Sequence, residues 1–437
     1  MHLLNVVRGQ NPREIALHVL RRQPGGDYIE DRFEAALAEQ PLSGPDRRLC
    51  QELVFGVVRW QATLDWLIAR KTQARQQKPA LQDLLRLGLY QILWLDRIPN
   101  HAAVHETVEL AKQSGFGPQA GFVNAVLRGY AREHDATHAL LAELRTTHPA
   151  IGYSHPEWLA TRWQARWGPE RSADLMTWNN TPPKTYGRVN TLKATAEALL
   201  PQWREENVEY DFAGYDWVEE HSVFELKAHP PLARLPSFQQ GLFYVQDPST
   251  MLAVRELGPQ PGESVLDLCA APGGKLTFMA QLVQNQGRIT AHDLAPERLQ
   301  LVEENCARLG VTCVQALLPT ALQAQSAPLY DKVLVDAPCS NTGVMRRRVD
   351  LRWRIRPEEI ARLSALQGEL LRQAAALLKP GGVLVYSTCS LEPEENTEVV
   401  SKFLSTQVWF TLARERELLP FNDRTDGAYV ARLLRHQ

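Results

Sequence analysis

The chain has 437 residues, 44% of them apolar and 22% charged, and a formal net charge of −2. That length predicts two or three domains rather than one. It contains no run of about 18 or more apolar residues, the minimum for a membrane-crossing helix, so no membrane association is expected. The near-balanced charge excludes nucleic-acid binding by bulk positive charge, so any such binding must use local basic patches. The six cysteines, Cys50, Cys269, Cys306, Cys313, Cys339 and Cys389, form no CxxC pair. That spacing argues against a zinc site or a disulfide framework, so no metal is expected and the thiols read as reduced and cytoplasmic. The opening "MHLLNVVRGQNPREIALHVL" lacks a basic stretch leading into an apolar one, so no secretory signal is expected. A monomer is expected.

Residues 1–140 read as all-helical. Apolar residues recur at helical spacing in "QELVFGVVRWQATLDWLIAR" and "PALQDLLRLGLYQILWLDRIP", with Pro99 ending the latter. "NHAAVHETVELAKQSG" predicts a further helix with Asn100 as N-cap and Gly115 as stop. Residues 141–245 read as a linker, through about His155, and a small mixed α/β unit. In that unit "PEWLATRWQARWG" and "ATAEALLPQWREE" are helices, and "YGRVN", "SVFELK" and "LFYVQD" are strands. Trp158, Trp163, Trp203 and Trp217 are its expected core.

From 246 to 437 strands and helices alternate: "ESVLDLCA", "GRITAHDL", "DKVLVDAP" and "GGVLVYSTCS" are strands with helical stretches between them, and "GAYVARLLRH" is an end strand. The alternation predicts an α/β fold with a mostly parallel sheet, helices on both faces and an antiparallel end strand. Ligands of such sheets bind at the C-terminal strand ends, and the notable motifs fall there. "DLCAAPGGK" (Asp267–Lys275) follows the first strand; it is neither a P-loop nor a G-x-G-x-x-G fingerprint. Gly273 and Gly274 allow close backbone approach to a ligand, and the next helix offers free N–H groups. Asp293, at the second strand end, suits the hydroxyls of a ribose. "DAPCSNTG" holds Asp336 and Cys339, and Cys389 stands fifty positions later in "YSTCSLEPEEN". Two basic runs are candidate nucleic-acid contacts: "ARKTQARQQK" and "MRRRVDLRWRIR", the second directly after the Asp-Pro-Cys turn.

Together "DLCAAPGGK", "DAPCSNTG" and "YSTCSLEPEEN" resemble the RNA cytosine-C5 methyltransferases that use S-adenosylmethionine. "LRLGLYQILWLDRIPNHAAVHETVELAK" and "GFVNAVLR" resemble a NusB-type helical RNA-binding domain, and "YSHPEWLATRW", "RVNTLK" and "VQDPSTM" match between them. The combination is similar to the RsmB (Fmu/Sun) type acting on 16S ribosomal RNA, over essentially the whole chain. The resemblance implies a Rossmann-like methyltransferase domain, preceded by a NusB-like domain and an RRM-like unit, with S-adenosylmethionine as cofactor and RNA as partner. By it, Cys269, Ala270, Ala271, Pro272, Gly273, Gly274 and Lys275 form the cofactor loop, Asp293 holds the ribose, and Asp336 lies near cofactor and base. Cys389 matches the nucleophile, and Cys339 the cysteine of product release. Arg346, Arg347, Arg348 and Arg188 are candidates for RNA contact.

The chain departs from the family at the third strand end, where an acid is usual and Leu317, Leu318 and Pro319 stand instead. "RRRVD" replaces the family's "RRHPD", and "DGAY" replaces "DGFF". The two cysteines make chemical sense because C5 of cytosine is a poor nucleophile. A thiolate adding at C6 turns the ring into an enamine-like species, dividing one hard step into easier ones. The target base must be unstacked or already lie in a loop. The motifs do not separate ribosomal from transfer RNA, and an RNA-binding assembly or antitermination factor with a degenerate methyltransferase domain is the reading from another class.

Overall fold

The computed structural model describes residues 11–21, 27–318, 322 and 329–436. Contacts divide them into two compact units: the residues up to Thr181 together with Met345–Arg354, and Pro182–Val344 together with Ile355 onward. We propose three domains, divided at about residues 140 and 245, with each sheet of the second unit in its own domain.

The first unit is helical. Its helices include Pro12–Arg21, Gly44–Arg59, Gln61–Lys71, Pro79–Trp94, Asn100–Ala111 and Ala120–Arg132. Local chemistry sets their ends: Ser43 Oγ accepts from Asp46 N, and Pro79 occupies the first turn, where its missing N–H has no partner to lose. Gly115 stops its helix in the left-handed region, at φ +84°. Asn100 is the first helical residue and Pro99 takes the cap position, without a side-chain bond. Leu53, Leu64, Leu84, Leu85 and Leu127 are fully buried and fill the space between the helices.

Three expectations are corrected here. The stretch read as a linker forms the helix His134–Thr147, because Leu141 and Leu144 share an inward face. The four tryptophans do not make one core: Trp158 and Trp163 belong to the first unit, Trp203 and Trp217 to the second. The arginine-rich run is partly structural. Arg352 is buried and donates to the carbonyls of Arg59, Ser154 and Asn179 at 3.3, 3.1 and 2.9 Å, and to Asn180 Oδ1 at 2.8 Å. It pins Met345–Arg354 into the helical unit.

The second unit holds two sheets. Strands β1 (Thr185–Val189), β2 (Glu209–Phe212), β3 (Val223–Ala228) and β4 (Phe243–Val245) form an antiparallel sheet in the order β2-β3-β1-β4. Its core is aromatic: the Trp203 ring meets Phe224 and Phe243 edge-on, at centroid distances of 5.6 and 5.2 Å. Trp217 instead donates its indole N–H to Pro248 O at 2.9 Å and packs with the residues of the larger sheet.

That sheet comprises β5 (Ser264–Asp267), β6 (Arg288–Ala291), β7 (Val314–Ala316), β8 (Tyr330–Asp336), β9 (Leu378–Thr388), β10 (Phe410–Leu418) and β11 (Ala428–Arg435), in the order β10-β11-β9-β8-β5-β6-β7. β5 to β9 run parallel, and β11 is antiparallel to both β9 and β10. β10 was not expected: "FTLARERELL" carries too many charges to read as a strand, yet as an exposed edge it pairs on one side only. No helix among the described residues is long and apolar enough to cross a membrane.

Trp203→Ala is expected to destabilise the protein by about 3–5 kcal/mol in chemical denaturation, the usual cost of emptying an aromatic core position; a loss below about 1 kcal/mol would contradict the packing described for the small sheet.

Candidate active site

The site forms where β5, β6, β8 and β9 end on one edge of the large sheet. β5 delivers Asp267 and leads into the loop Cys269–Lys275, and β6 leads to Asp293 two residues beyond Ala291. β8 ends on Asp336, whose partner in register on β9 is Ser387. Cys339 follows β8 by three residues and Cys389 follows β9 by one, so two loops adjacent in space carry the two cysteines.

The loop after β5 needs its glycines for distinct reasons. Gly273 sits at φ +103°, a conformation that side chains rarely tolerate, and it opens the helix Gly274–Leu282 with its N–H groups toward the strand ends. Asp293 accepts from the backbone N–H groups of Ala271 and Ala295, each at 3.1 Å, and meets Arg298 at 3.4 Å. Arg298 also donates to Ala271 O at 3.0 Å, tying the loop to the second strand end. Cys269 has its thiol pKa pushed well up, by burial and then by Asp267. A thiol held protonated this way is not a nucleophile.

Lys275 reaches across the edge. Its Nζ donates to Asp336 Oδ2 at 2.6 Å, while Ser387 Oγ donates to Asp336 Oδ1 at 2.7 Å. Burial alone would lower the Lys275 pKa; the contact with Asp336, reinforced by Cys389 and Asp267, outweighs it and holds the ammonium above its ordinary value. Asp267 is fully buried and its Oδ1 has no hydrogen-bond partner. Burial, followed by the charge of Asp336, pushes its carboxyl up to about 8. An orphaned carboxyl oxygen beside a glycine loop leaves a buried polar atom for a polar ligand to satisfy.

The two sulfurs lie 3.2 Å apart. Cys389 donates to Asn341 Oδ1 at 2.9 Å, and Asn341 Nδ2 donates to Cys339 O at 2.8 Å. The Cys339 thiol pKa is raised well above its usual value, by the contact with Cys389 first and by burial second. Gly343 fits only without a side chain: a Cβ there would lie 2.7 Å from both Cys389 O and Gly427 O. Its N–H donates to Cys389 O at 2.9 Å, and its carbonyl accepts from Gly427 N at 2.9 Å. That contact explains the glycines of "NTG" and "DGAY".

The structure therefore brings Asp336, Cys339, Cys389 and the loop Cys269–Lys275 to one edge. Two of the RNA candidates, Arg188 and Arg346, are instead buried. Arg188 is 1% exposed. It points inward, donating to Gly274 O at 3.0 Å, to Thr277 Oγ1 at 3.1 Å and to Gln246 Oε1. It braces the loop from beneath and cannot touch RNA, which corrects that expectation. Arg346, also 1% exposed, stacks over Trp178 at 4.0 Å in the helical unit and is likewise no phosphate contact. Arg347 is half-buried and Arg348 exposed. At the third strand end, Leu317 N donates to Ala291 O at 2.8 Å and Leu318 is 57% exposed; Pro319 lies outside the described residues.

Sequence reasoning missed Asp267, Asn341 and Glu395. Asp267 was quoted within its motif but given no role. Glu395 was likewise quoted within its motif and given no role, yet it is buried and joins the two cysteine loops through Ser340 and Ser390. The repeated Cys-Ser, once in each motif, was the available signal.

Asp267 gives a test on the ligand-free protein. A carboxyl whose folded pKa is raised stabilises the fold while it keeps its proton, and that contribution is lost as pH rises from the unfolded value of about 4 toward about 8. Asp267→Asn is therefore expected to gain unfolding free energy over wild type more at pH 8.5 than at pH 5.5, by at most about 1.4 kcal/mol per pH unit inside that window. Equal shifts at both pH values would contradict the buried, proton-holding carboxyl.

A family model described as 16S rRNA methyltransferase RsmB/F matches residues 254–434, one described as NusB family matches 10–132, and one described as an RsmF/B-like ferredoxin-like domain matches 155–215. The "Probable ribosomal RNA small subunit methyltransferase B" of Bacillus subtilis (strain 168) is 38% identical over 90% of this chain and 88% of its own length. The "Ribosomal RNA small subunit methyltransferase B" of Klebsiella pneumoniae (strain ATCC 700721 / MGH 78578) is 36% identical over 91% of this chain and 92% of its own. Among solved structures, PH0851 superposes with a TM-score of 0.79 at 25% identity, covering 98% of this chain and 99% of that one. The chain thus belongs to the ribosomal RNA small subunit methyltransferase B family, with a NusB-like helical region, a ferredoxin-like domain and a mostly parallel methyltransferase sheet.

Proposed function

We propose that this RNA methyltransferase uses S-adenosylmethionine to methylate C5 of a cytosine in 16S ribosomal RNA through a covalent bond between Cys389 and C6 of the base. The observation that carries the reading is the pair of sulfurs 3.2 Å apart at adjacent strand ends, beside an aspartate held by a lysine. The names of the relatives supply the substrate class.

When bound, S-adenosylmethionine supplies a methyl group on a cationic sulfur. The residues present fit it: the loop Cys269–Lys275 and Asp293 would hold it, Asp293 by the ribose hydroxyls, and the unpartnered oxygen of Asp267 would be open to a polar or positive group of it. Asp336 keeps lone pairs free beyond those used by Lys275 and Ser387, so it accepts from the exocyclic amine of cytosine and orients the ring. Once its proton is lost, the Cys389 thiolate adds at C6, and the C5–C6 π pair moves onto the ring as an enamine-type carbanion that makes C5 nucleophilic. After transfer the C5 proton leaves, and the electron pair of the sulfur–C6 bond returns to Cys389; Cys339 assists this release. Arg348, exposed in the helical unit, and Arg347 are the remaining candidates for phosphate contact.

Bisulfite sequencing of 16S ribosomal RNA from cells lacking the protein tests the substrate. One 5-methylcytosine is expected to disappear, and an unchanged pattern contradicts the proposal. In vitro, Cys389→Ala is expected to lower methyl transfer by roughly 10³-fold or more with the fold intact, as loss of a nucleophile does. Cys339→Ala is expected to accumulate a protein–RNA complex that survives denaturing gels. Robust turnover by Cys389→Ala would sink the role assignment.

A further inference from the structure

Glu395 is 0% exposed, and its hydrogen-bond partners are neutral donors. Its Oε1 accepts from Ser340 N at 2.8 Å and from Gln367 Nε2 at 3.1 Å. Its Oε2 accepts from Ser390 Oγ at 2.5 Å and from Ser340 Oγ. These four bonds use the full acceptor capacity of a carboxylate. Ser340 and Ser390 directly follow Cys339 and Cys389 in sequence, and their hydroxyls lie 3.0 Å apart. The carboxylate is itself held in place. Tyr386 donates to Glu395 O at 2.5 Å, Gln367 also donates to Pro338 O at 2.9 Å, and Asn396 Nδ2 donates to Ser390 O at 2.9 Å. Burial pushes the Glu395 carboxyl up, and the bonds from Ser340 and Ser390 pull it part of the way back.

A buried carboxylate whose bonding partners are all neutral is a costly choice for a purely structural link. The chain already joins these loops without the carboxylate, by the backbone bond from Gly343 N to Cys389 O at 2.9 Å and by Leu391 N donating to the Thr342 hydroxyl Oγ1 at 2.8 Å. What the carboxylate adds is side-chain register: one rigid group fastens the neighbour of each cysteine. Two sulfurs that act on one base need placement to within about half an ångström, and residues behind them supply it.

We propose that Glu395 is the positioning residue of the cysteine pair, holding Cys339 and Cys389 at their working separation through Ser340 and Ser390. The inference rests on the reading that both sulfurs serve one base, and Glu395 itself touches no substrate. Gln in its place keeps a carbonyl acceptor for Ser340 N and Gln367, and offers an amide donor to a serine hydroxyl; Ala keeps neither.

The test uses the full chain without RNA or methyl donor. Diamide, an azo oxidant, removes two protons and two electrons from the two thiols, becoming a hydrazine as the Cys339–Cys389 bond forms; peptide mass mapping gives the rate. Wild type and Glu395→Gln are expected to agree within about twofold, and Glu395→Ala to be slower by about tenfold or more, the loss that misorientation of two reacting groups brings. If Glu395→Ala does not fold, the Ser340→Ala/Ser390→Ala double variant carries the same expectation. A folded Glu395→Ala, or a folded double variant, that oxidises at the wild-type rate overturns the proposal. On 16S ribosomal RNA transcripts, Glu395→Ala is expected to lower kcat with little change in KM, and Glu395→Gln to restore it. If the wild-type protein methylates no cytosine, the functional reading fails, while the oxidation rates still decide the role of Glu395.

Discussion

Two cysteines fifty residues apart in sequence meet at 3.2 Å because β8 and β9 are parallel neighbours with Asp336 opposite Ser387. Parallel strands need a long crossover, and between them the chain visits the helical unit at Met345–Arg354 and then forms the helix Pro357–Leu377. Everything at the site depends on that register. A slip by one residue would turn every side chain of one strand to the opposite face of the sheet, separating Asp336 from Ser387 and the cysteine loops from each other.

Charge organises the rest of the edge. Asp267, Asp293 and Asp336 converge there, and Lys275 answers Asp336 directly at 2.6 Å. Asp293 is held by backbone N–H groups and Arg298, whereas Asp267 keeps one oxygen without a partner. The edge thus has one lysine-paired acid next to the cysteines, one acid fixed by backbone N–H groups and Arg298, and one acid whose carboxyl is pushed up by burial. Such a graded set suits a cationic cofactor on one side and a polar base on the other.

Much of this was legible in the chain. Alternating strands and helices give the sheet, and the motifs mark the strand ends because glycine, proline and acids cluster where a buried apolar run stops. What local pattern cannot show is which distant groups a charged side chain will meet. Arg352, in a run that reads as a phosphate patch, is consumed by carbonyls from Arg59, Ser154 and Asn179. Arg188 reads as a strand residue free to face RNA but is drawn under the glycine loop by Gly274 and Thr277. Glu395 sits in "EPEEN", a stretch with the composition of a solvated turn, and its burial follows only once Ser340 and Ser390 are adjacent in space. β10 stayed hidden because an edge strand with one exposed face can carry charges that a central strand cannot.

The central claim, that the two cysteines have unequal roles on one base, is tested most directly by trapping. RNA carrying 5-fluorocytosine at the target position blocks release, since fluorine cannot leave C5 as a proton does, and the wild-type protein then stays bonded to the base. Mass mapping of the trapped peptide is predicted to find the nucleotide on Cys389, with Cys339 unmodified. A nucleotide found on Cys339 instead would contradict the account.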